Sequence, residues 1–214
     1  MLLTVGAQFL LFYFDFIPRE AKQINTVHMF IIIACQAGLF LCIAGLFQIF
    51  FKFDFYGFGD EISGKDLLLG FAGLIGVDII SAVFLSLIGQ VPDQFKEFDP
   101  HLLGSNIYLF MFTVALLGPI YEEIIFRGYI LGMLVKPDSE ILKNILPIIF
   151  SSLLFMAAHL DDISENFFIG VPLFLLGVYF SFWAIRKKGV MLPILLHITQ
   201  NFMAALAMMY QLKQ

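Results

Sequence analysis

Charge is what this chain has least of. Only 14% of its 214 residues are Asp, Glu, Lys or Arg, whereas 60% are hydrophobic, a balance far from that of domains that fold in water. The basic residues form no stretch long enough to track a phosphate backbone, and the net charge is −5, so nucleic acid is not an expected partner. Cysteine is nearly absent. Cys35 and Cys42 stand seven apart in one apolar run, which puts them on one helix face as small packing residues rather than as a disulfide or a metal pair. Internal repeats and low-complexity segments are missing. The run from Leu2 to Phe16 has no basic residue before it and no small-residue cleavage site after it, so it reads as a retained helix rather than a signal peptide.

What the chain has in abundance is long apolar runs. A helix needs about 20 largely apolar residues to cross the hydrocarbon layer, and such runs lie near 2–18, 27–51, 67–90, 103–135, 141–160, 166–185 and 190–210. The fourth is too long for one upright crossing, so it either tilts strongly or breaks at Gly118-Pro119. The expectation is an all-α, polytopic integral membrane helical bundle of seven or eight transmembrane helices. The connections from Lys52 to Asp66 and from Val91 to Pro100 carry turn residues and are too short for an extramembrane domain, so 1–214 reads as one structural domain.

Basic residues near the helix ends give an orientation. With the N-terminus inside and the fourth run counted once, Lys52, Lys65, Lys136, Lys143, Arg186, Lys187 and Lys188 face the cytoplasm, and Arg19, Lys22, Lys96 and Lys213 face out. Counting that run as two crossings reverses every later loop.

Ionisable groups at membrane depth are costly and stand out against this background. They are Asp78, Glu122, Glu123, Arg127, His159 and His197. Successive helical residues are rotated by about 100°, so Glu122 and Glu123 cannot share a face and should have separate tasks. Glu123 and Arg127 are four apart in the favourable order for an ion pair, which leaves Glu122 to face a cavity; a structural charge cluster at a helix end is an equal reading of this motif alone. Phe155 and His159 lie one turn apart, beside small alanines that admit a neighbouring helix. His197 and Asn201 project from one face of a segment otherwise rich in Leu, Ile, Met and Ala. Taken singly, the first of these two pairs reads as an interfacial histidine and the second as an interhelical hydrogen bond. Asp78, near Gly70, Gly73 and Gly76, reads as a structural acid in a closely packed helix rather than as a site residue or part of a proton path.

Together the three patterns, Glu122-Glu123-x-x-x-Arg127, Phe155-x-x-x-His159 and His197-x-x-x-Asn201, each on its own apolar run, resemble the EExxxR, FxxxH and HxxxN motifs of the CAAX-processing and bacteriocin-processing proteases. Gly118-Pro119 ahead of the glutamates and the Pro193-Ile-Leu-Leu run ahead of His197 extend the likeness, while Met191 stands where many members carry tryptophan. The resemblance covers 103–210 as a catalytic membrane core, strongest to about 205, and leaves 1–100 as weakly matched membrane helices. It implies an intramembrane endopeptidase acting on a membrane-associated peptide or protein, lipidated or not, in a prokaryotic cytoplasmic membrane. It assigns Glu122 and His159 to a nucleophilic water and His197 and Asn201 to the oxyanion, with Glu123, Arg127 and Phe155 in support. No cofactor is the preferred expectation. A zinc or other divalent metal would take Glu122, His159 and His197, although the chain has no HExxH. Because the fifth helix carries His159 at its far end, convergence with His197 needs that helix to be short or the turn after it to lie within the protein. The stretch from Asp161 to Asn166 is then expected in the wall of the site. A noncatalytic immunity or partner-binding membrane protein is the competing class, and a proton-relay transporter using Asp78, Glu122 and Glu123 the third. A transporter has no use for an oxyanion-type His and Asn pair, and no inverted repeat is evident.

Overall fold

The computed structural model describes residues 26–51, 56–89, 107–135, 141–159, 168 and 170–211. The expected first span, the Val91 to Pro100 loop and the stretch from Asp161 to Asn166 lie outside them. Among the described residues the protein is all helical, with no strand. Six helices follow in order: α1, Thr26–Phe51; α2, Gly64–Leu87; α3, running through 107–134; α4, Ile145–Ala157; α5, Gly170–Lys187; and α6, Met191–Gln211. Two stretches among the described residues are long and apolar enough to cross a membrane, Gly64–Leu87 and Tyr108–Leu134.

Proline placement explains several helix starts. Pro147, Pro172 and Pro193 each fall in the first turn of α4, α5 and α6, where the missing N–H has no intrahelical acceptor to lose. Pro119 is different because it sits inside α3. Its missing N–H and its ring would disturb the preceding turn, and that turn is widened into a π segment, Phe112–Leu117, with the Gly118 N–H bonding to the Thr113 carbonyl. Gly118 itself stays helical (φ −56°, ψ −59°). The long fourth run therefore continues through Gly118-Pro119 as one helix, and the local cost is absorbed by a change of pitch. A second π segment, Ile124–Leu131, begins directly after Glu123.

Contacts divide the chain into two interleaved units, one of 1–52, 93–121 and 198–214, the other of 53–92 and 122–197. In the first, α1 packs on the front of α3, with Phe30 and Phe112 rings 6.3 Å apart. In the second, α5 is central and packs on α4, α2 and the rear of α3. One core there joins Leu74, Phe180, Trp183, Leu192 and Leu196, and another joins Leu131, Val135, Ile148, Ala184 and Ile185. Small residues permit these approaches. A Cβ at Gly70 would lie 3.1 Å from Leu196 and one at Gly73 2.6 Å from the Tyr179 hydroxyl, whereas Gly76 faces open space. The turn between α5 and α6 crosses the 56–60 segment, where Val190 and Met191 N–H groups bond to the Gly57 and Phe58 carbonyls. Gly59 adopts φ +89° there, and a side chain on it would meet the Lys187 carbonyl at 2.5 Å, so the crossing requires glycine.

Candidate active site

Residues of the second unit build the site from α3, α4, α5 and α6. The adjacent carboxylates on α3 diverge, as the helical rotation requires. Glu123 turns inward and is fully buried with Arg127, whose Nη1 donates to Glu123 Oε1 at 2.9 Å. The pair that the four-residue spacing predicts thus forms, and Arg127 has more to hold it. Its Nη2 donates to the Gly177 carbonyl of α5 at 3.1 Å, and its guanidinium lies 4.5 Å from the Phe155 ring centroid and 5.4 Å from that of Phe180. Cation–π contacts of this kind partly replace the water a buried guanidinium has lost.

Glu122 faces the other way, toward two imidazoles. Its Oε2 is 3.8 Å from His197 Nε2 and 4.0 Å from His159 Nε2. These separations exceed hydrogen-bond length, and Glu122 Oε2 is a buried oxygen with no partner among the protein groups. The Glu122 and His159 side chains keep 24% exposure each, while that of His197 keeps 6%. A narrow, partly open gap therefore separates three polar atoms, each on a different helix or helix end.

His159 sits just past the end of a short helix. Helix α4 has only 13 residues, about 20 Å at 1.5 Å per residue, against a hydrocarbon layer of about 30 Å. His159 follows in a turn closed by its own N–H on the Met156 carbonyl, and its Nδ1 is 2.9 Å from the Phe155 carbonyl. This turn leaves His159 Nε2 4.0 Å from Glu122 Oε2. Phe155, buried, forms the common floor: its ring centroid is 4.9 Å from that of His159, 5.8 Å from that of His197 and 5.4 Å, edge-on, from that of Phe126.

Asn201 belongs to the first unit, where its Nδ2 donates to the Val114 carbonyl at 3.0 Å. Asp78 lies half-buried on α2. Among the described residues no group of three or more His, Cys, Asp and Glu side chains forms a set able to hold a metal ion.

Two participants carried no mark in the sequence. Phe180 stacks on His197 with centroids 5.0 Å apart and planes at 26°, and Gly177 supplies the carbonyl that receives Arg127. An apolar ring and a backbone oxygen look like any other part of a membrane helix. Only the closeness of Gly177 to Ser152, where a Cβ would come within 2.9 Å of the serine Cβ, gives the glycine a purpose, and that is invisible before the helices are packed.

Among the described residues this is an all-helical protein with membrane-type helices and with carboxylate and imidazole groups gathered at one site. Residues 104–203 match the family described as type II CAAX prenyl endopeptidase Rce1-like. Similar curated proteins are the membrane-embedded CAAX protease MroQ of Staphylococcus aureus (strain USA300), 32% identical over 139 residues, and an uncharacterized 24.3 kDa protein of Escherichia coli, 33% identical over 135 residues. These alignments take in 63% and 60% of this chain and span 53% and 60% of the two relatives. No solved structure matches. Over residues 104–203 the likeness is to CAAX-type membrane proteases, as the three sequence motifs imply.

Proposed function

We propose that the protein is a membrane-embedded endopeptidase of the CAAX type, which hydrolyses a peptide bond of a membrane-associated peptide or protein with a water held by Glu122 and His159. One observation carries this reading: a buried, unpartnered Glu122 Oε2 faces two imidazole nitrogens across gaps of 3.8 and 4.0 Å, too wide for direct bonds and suited to a small bridging donor. In the reaction the water oxygen bonds to the scissile carbonyl carbon while its proton passes to Glu122 Oε2. The carbon–nitrogen bond then breaks, and the proton goes from Glu122 to the departing amine. The resemblance assigns oxyanion stabilisation to Asn201, and a side-chain amide is a donor suited to that task. The same role for His197 would need an N–H at Nε2, yet Nδ1 already meets the Glu123 carboxylate at 2.9 Å, and a neutral imidazole has only one N–H.

By residue type, Glu122, His159 and His197 are ligands that a catalytic zinc takes, with ligand atoms about 3.3 Å apart in a tetrahedron at usual bond lengths, but as they stand they do not form such a set. The observed 3.8 and 4.0 Å separations would have to contract for it. Bound there, zinc would lower the proton affinity of a water. The metal-free reading is preferred, and loss of activity with a chelator, restored by zinc, would reverse that preference.

Seven or eight crossings of a prokaryotic cytoplasmic membrane complete the proposal, supported by the apolar runs and by the bacterial relatives. Its test uses detergent-purified protein and a panel of lipidated and unlipidated peptides, with products read by mass spectrometry. Wild-type protein should cleave some of them, and Glu122→Gln or His159→Ala should not. A folded wild-type protein that cleaves none leaves a noncatalytic partner-binding or immunity role in its place.

A further inference from the structure

The contact between α3 and α6 fixes more than position. Arg127 is a fully buried cation whose charge is balanced by Glu123, so Glu123 is ionised and can only accept hydrogen bonds. Its Oε1 receives the Arg127 Nη1 donor at 2.9 Å and meets His197 Nδ1 at the same distance. The His197 nitrogen must therefore carry the hydrogen. In a neutral imidazole that leaves Nε2 bare, and Nε2 is the atom 3.8 Å from Glu122 Oε2.

His159 arrives at the same state by a different route. Its Nδ1 is held by the Phe155 carbonyl at 2.9 Å; a carbonyl only accepts, so Nδ1 carries the hydrogen and Nε2 again looks toward Glu122, at 4.0 Å. Both rings thus present a lone pair to one gap. Phe180 stacks on His197, and Phe155 packs against both rings.

We infer that Glu123 is a positioning residue which locks His197 in the Nδ1–H tautomer, making His197 an acceptor that shares the second hydrogen of the nucleophilic water with His159 while Glu122 takes the first, rather than an oxyanion donor. The catalytic part of this rests on the peptidase reading; the tautomer does not. Glu123 never touches the water or the substrate. It acts through the imidazole, as the carboxylate behind a histidine does in many hydrolytic and metal sites. Arg127 serves the same end by keeping that carboxylate ionised and aimed.

The tautomer can be read without substrate. Wild-type protein labelled with nitrogen-15 in histidine, in detergent micelles, is assigned by replacing His28, His101, His159 and His197 with Gln in turn. The neutral His197 ring should show a protonated Nδ1 and a bare Nε2. A protonated Nε2 with a bare Nδ1 overturns the inference. Glu123→Gln removes the anion and should lower kcat about 10- to 100-fold with KM within about threefold, because substrate contacts are untouched. Glu123→Asp, which keeps the charge, should recover part of kcat. A folded Glu123→Gln protein with wild-type kcat and an unchanged tautomer also overturns it. Should the wild-type protein cleave no peptide, the peptidase reading fails, and the nitrogen signals still decide the tautomer.

Discussion

Two ion pairs of nearly equal length occupy opposite settings in the same unit. Glu123 and Arg127 meet at 2.9 Å with both side chains fully buried, and Asp66 and Lys187 meet at 3.1 Å with 16% and 13% exposure. The outer pair belongs to a helix cap. Ser63 Oγ accepts the Asp66 N–H while Asp66 Oδ2 accepts the Ser63 N–H, a reciprocal box at the start of α2, and Lys187 at the end of α5 closes over it. Solvent can replace either member of that pair. Nothing can replace the inner one, whose partners are a backbone carbonyl, aromatic rings and an imidazole. Similar distances therefore carry different energies, and burial decides which pair the fold depends on.

Removing the inner cation should have the largest effect. Arg127→Ala strands a buried carboxylate and vacates the Gly177 carbonyl, so a loss of about 3–5 kcal/mol is expected, seen as aggregation or as a large drop in the detergent melting temperature. A melting curve like that of the wild type would mean that Glu123 can be neutralised without cost. Next comes Glu122→Gln. It should lower the peptidase rate about 10²- to 10⁴-fold yet leave the melting temperature almost unchanged, because Glu122 Oε2 has no protein partner to lose. A variant that unfolds instead would move Glu122 into the structural group with Glu123. Smaller again is Gly177→Ala, where the new Cβ meets Ser152 Cβ at 2.9 Å and Cα at 3.0 Å. Overpacking of this kind costs about 1–3 kcal/mol, and adding Ser152→Gly should return much of it.

Much of this arrangement is legible in the sequence, for a physical reason. Membrane-type composition makes polar residues conspicuous, so the separation of Glu122 from Glu123 and the pairing of Glu123 with Arg127 follow from helical rotation alone. Helix positions are legible for the same reason: the runs at 27–51, 67–90 and 141–160 correspond to Thr26–Phe51, Gly64–Leu87 and Ile141–Ala157. The course of α3 through Pro119 is not, because a π turn leaves no pattern in the residues. Nor is the Glu123 contact of His197 legible, since it joins residues 74 apart and depends on which ring nitrogen each helix presents. The resemblance to known proteases supplies His197 and Asn201 for an oxyanion; only the packed helices reveal that the imidazole of this pair is already engaged by a carboxylate.

At the outer pair the effects should shrink in order. Ser63→Ala removes the acceptor for the Asp66 N–H and should cost about 1 kcal/mol, measurable as a modest fall in melting temperature. Lys187→Met is the weakest change. Its Nζ bonds to Asp66 Oδ2 at 3.1 Å and donates to the exposed Glu61 carbonyl, but water can take the place of both contacts and salt screens the charged one. Melting temperatures of wild-type and Lys187→Met protein should therefore differ slightly in dilute buffer and converge as sodium chloride approaches about 1 M, where the screening length falls to about 3 Å. Persistence of the difference at high salt would mean that the outer pair is shielded from solvent, and the contrast with Glu123 and Arg127 would then be one of degree only.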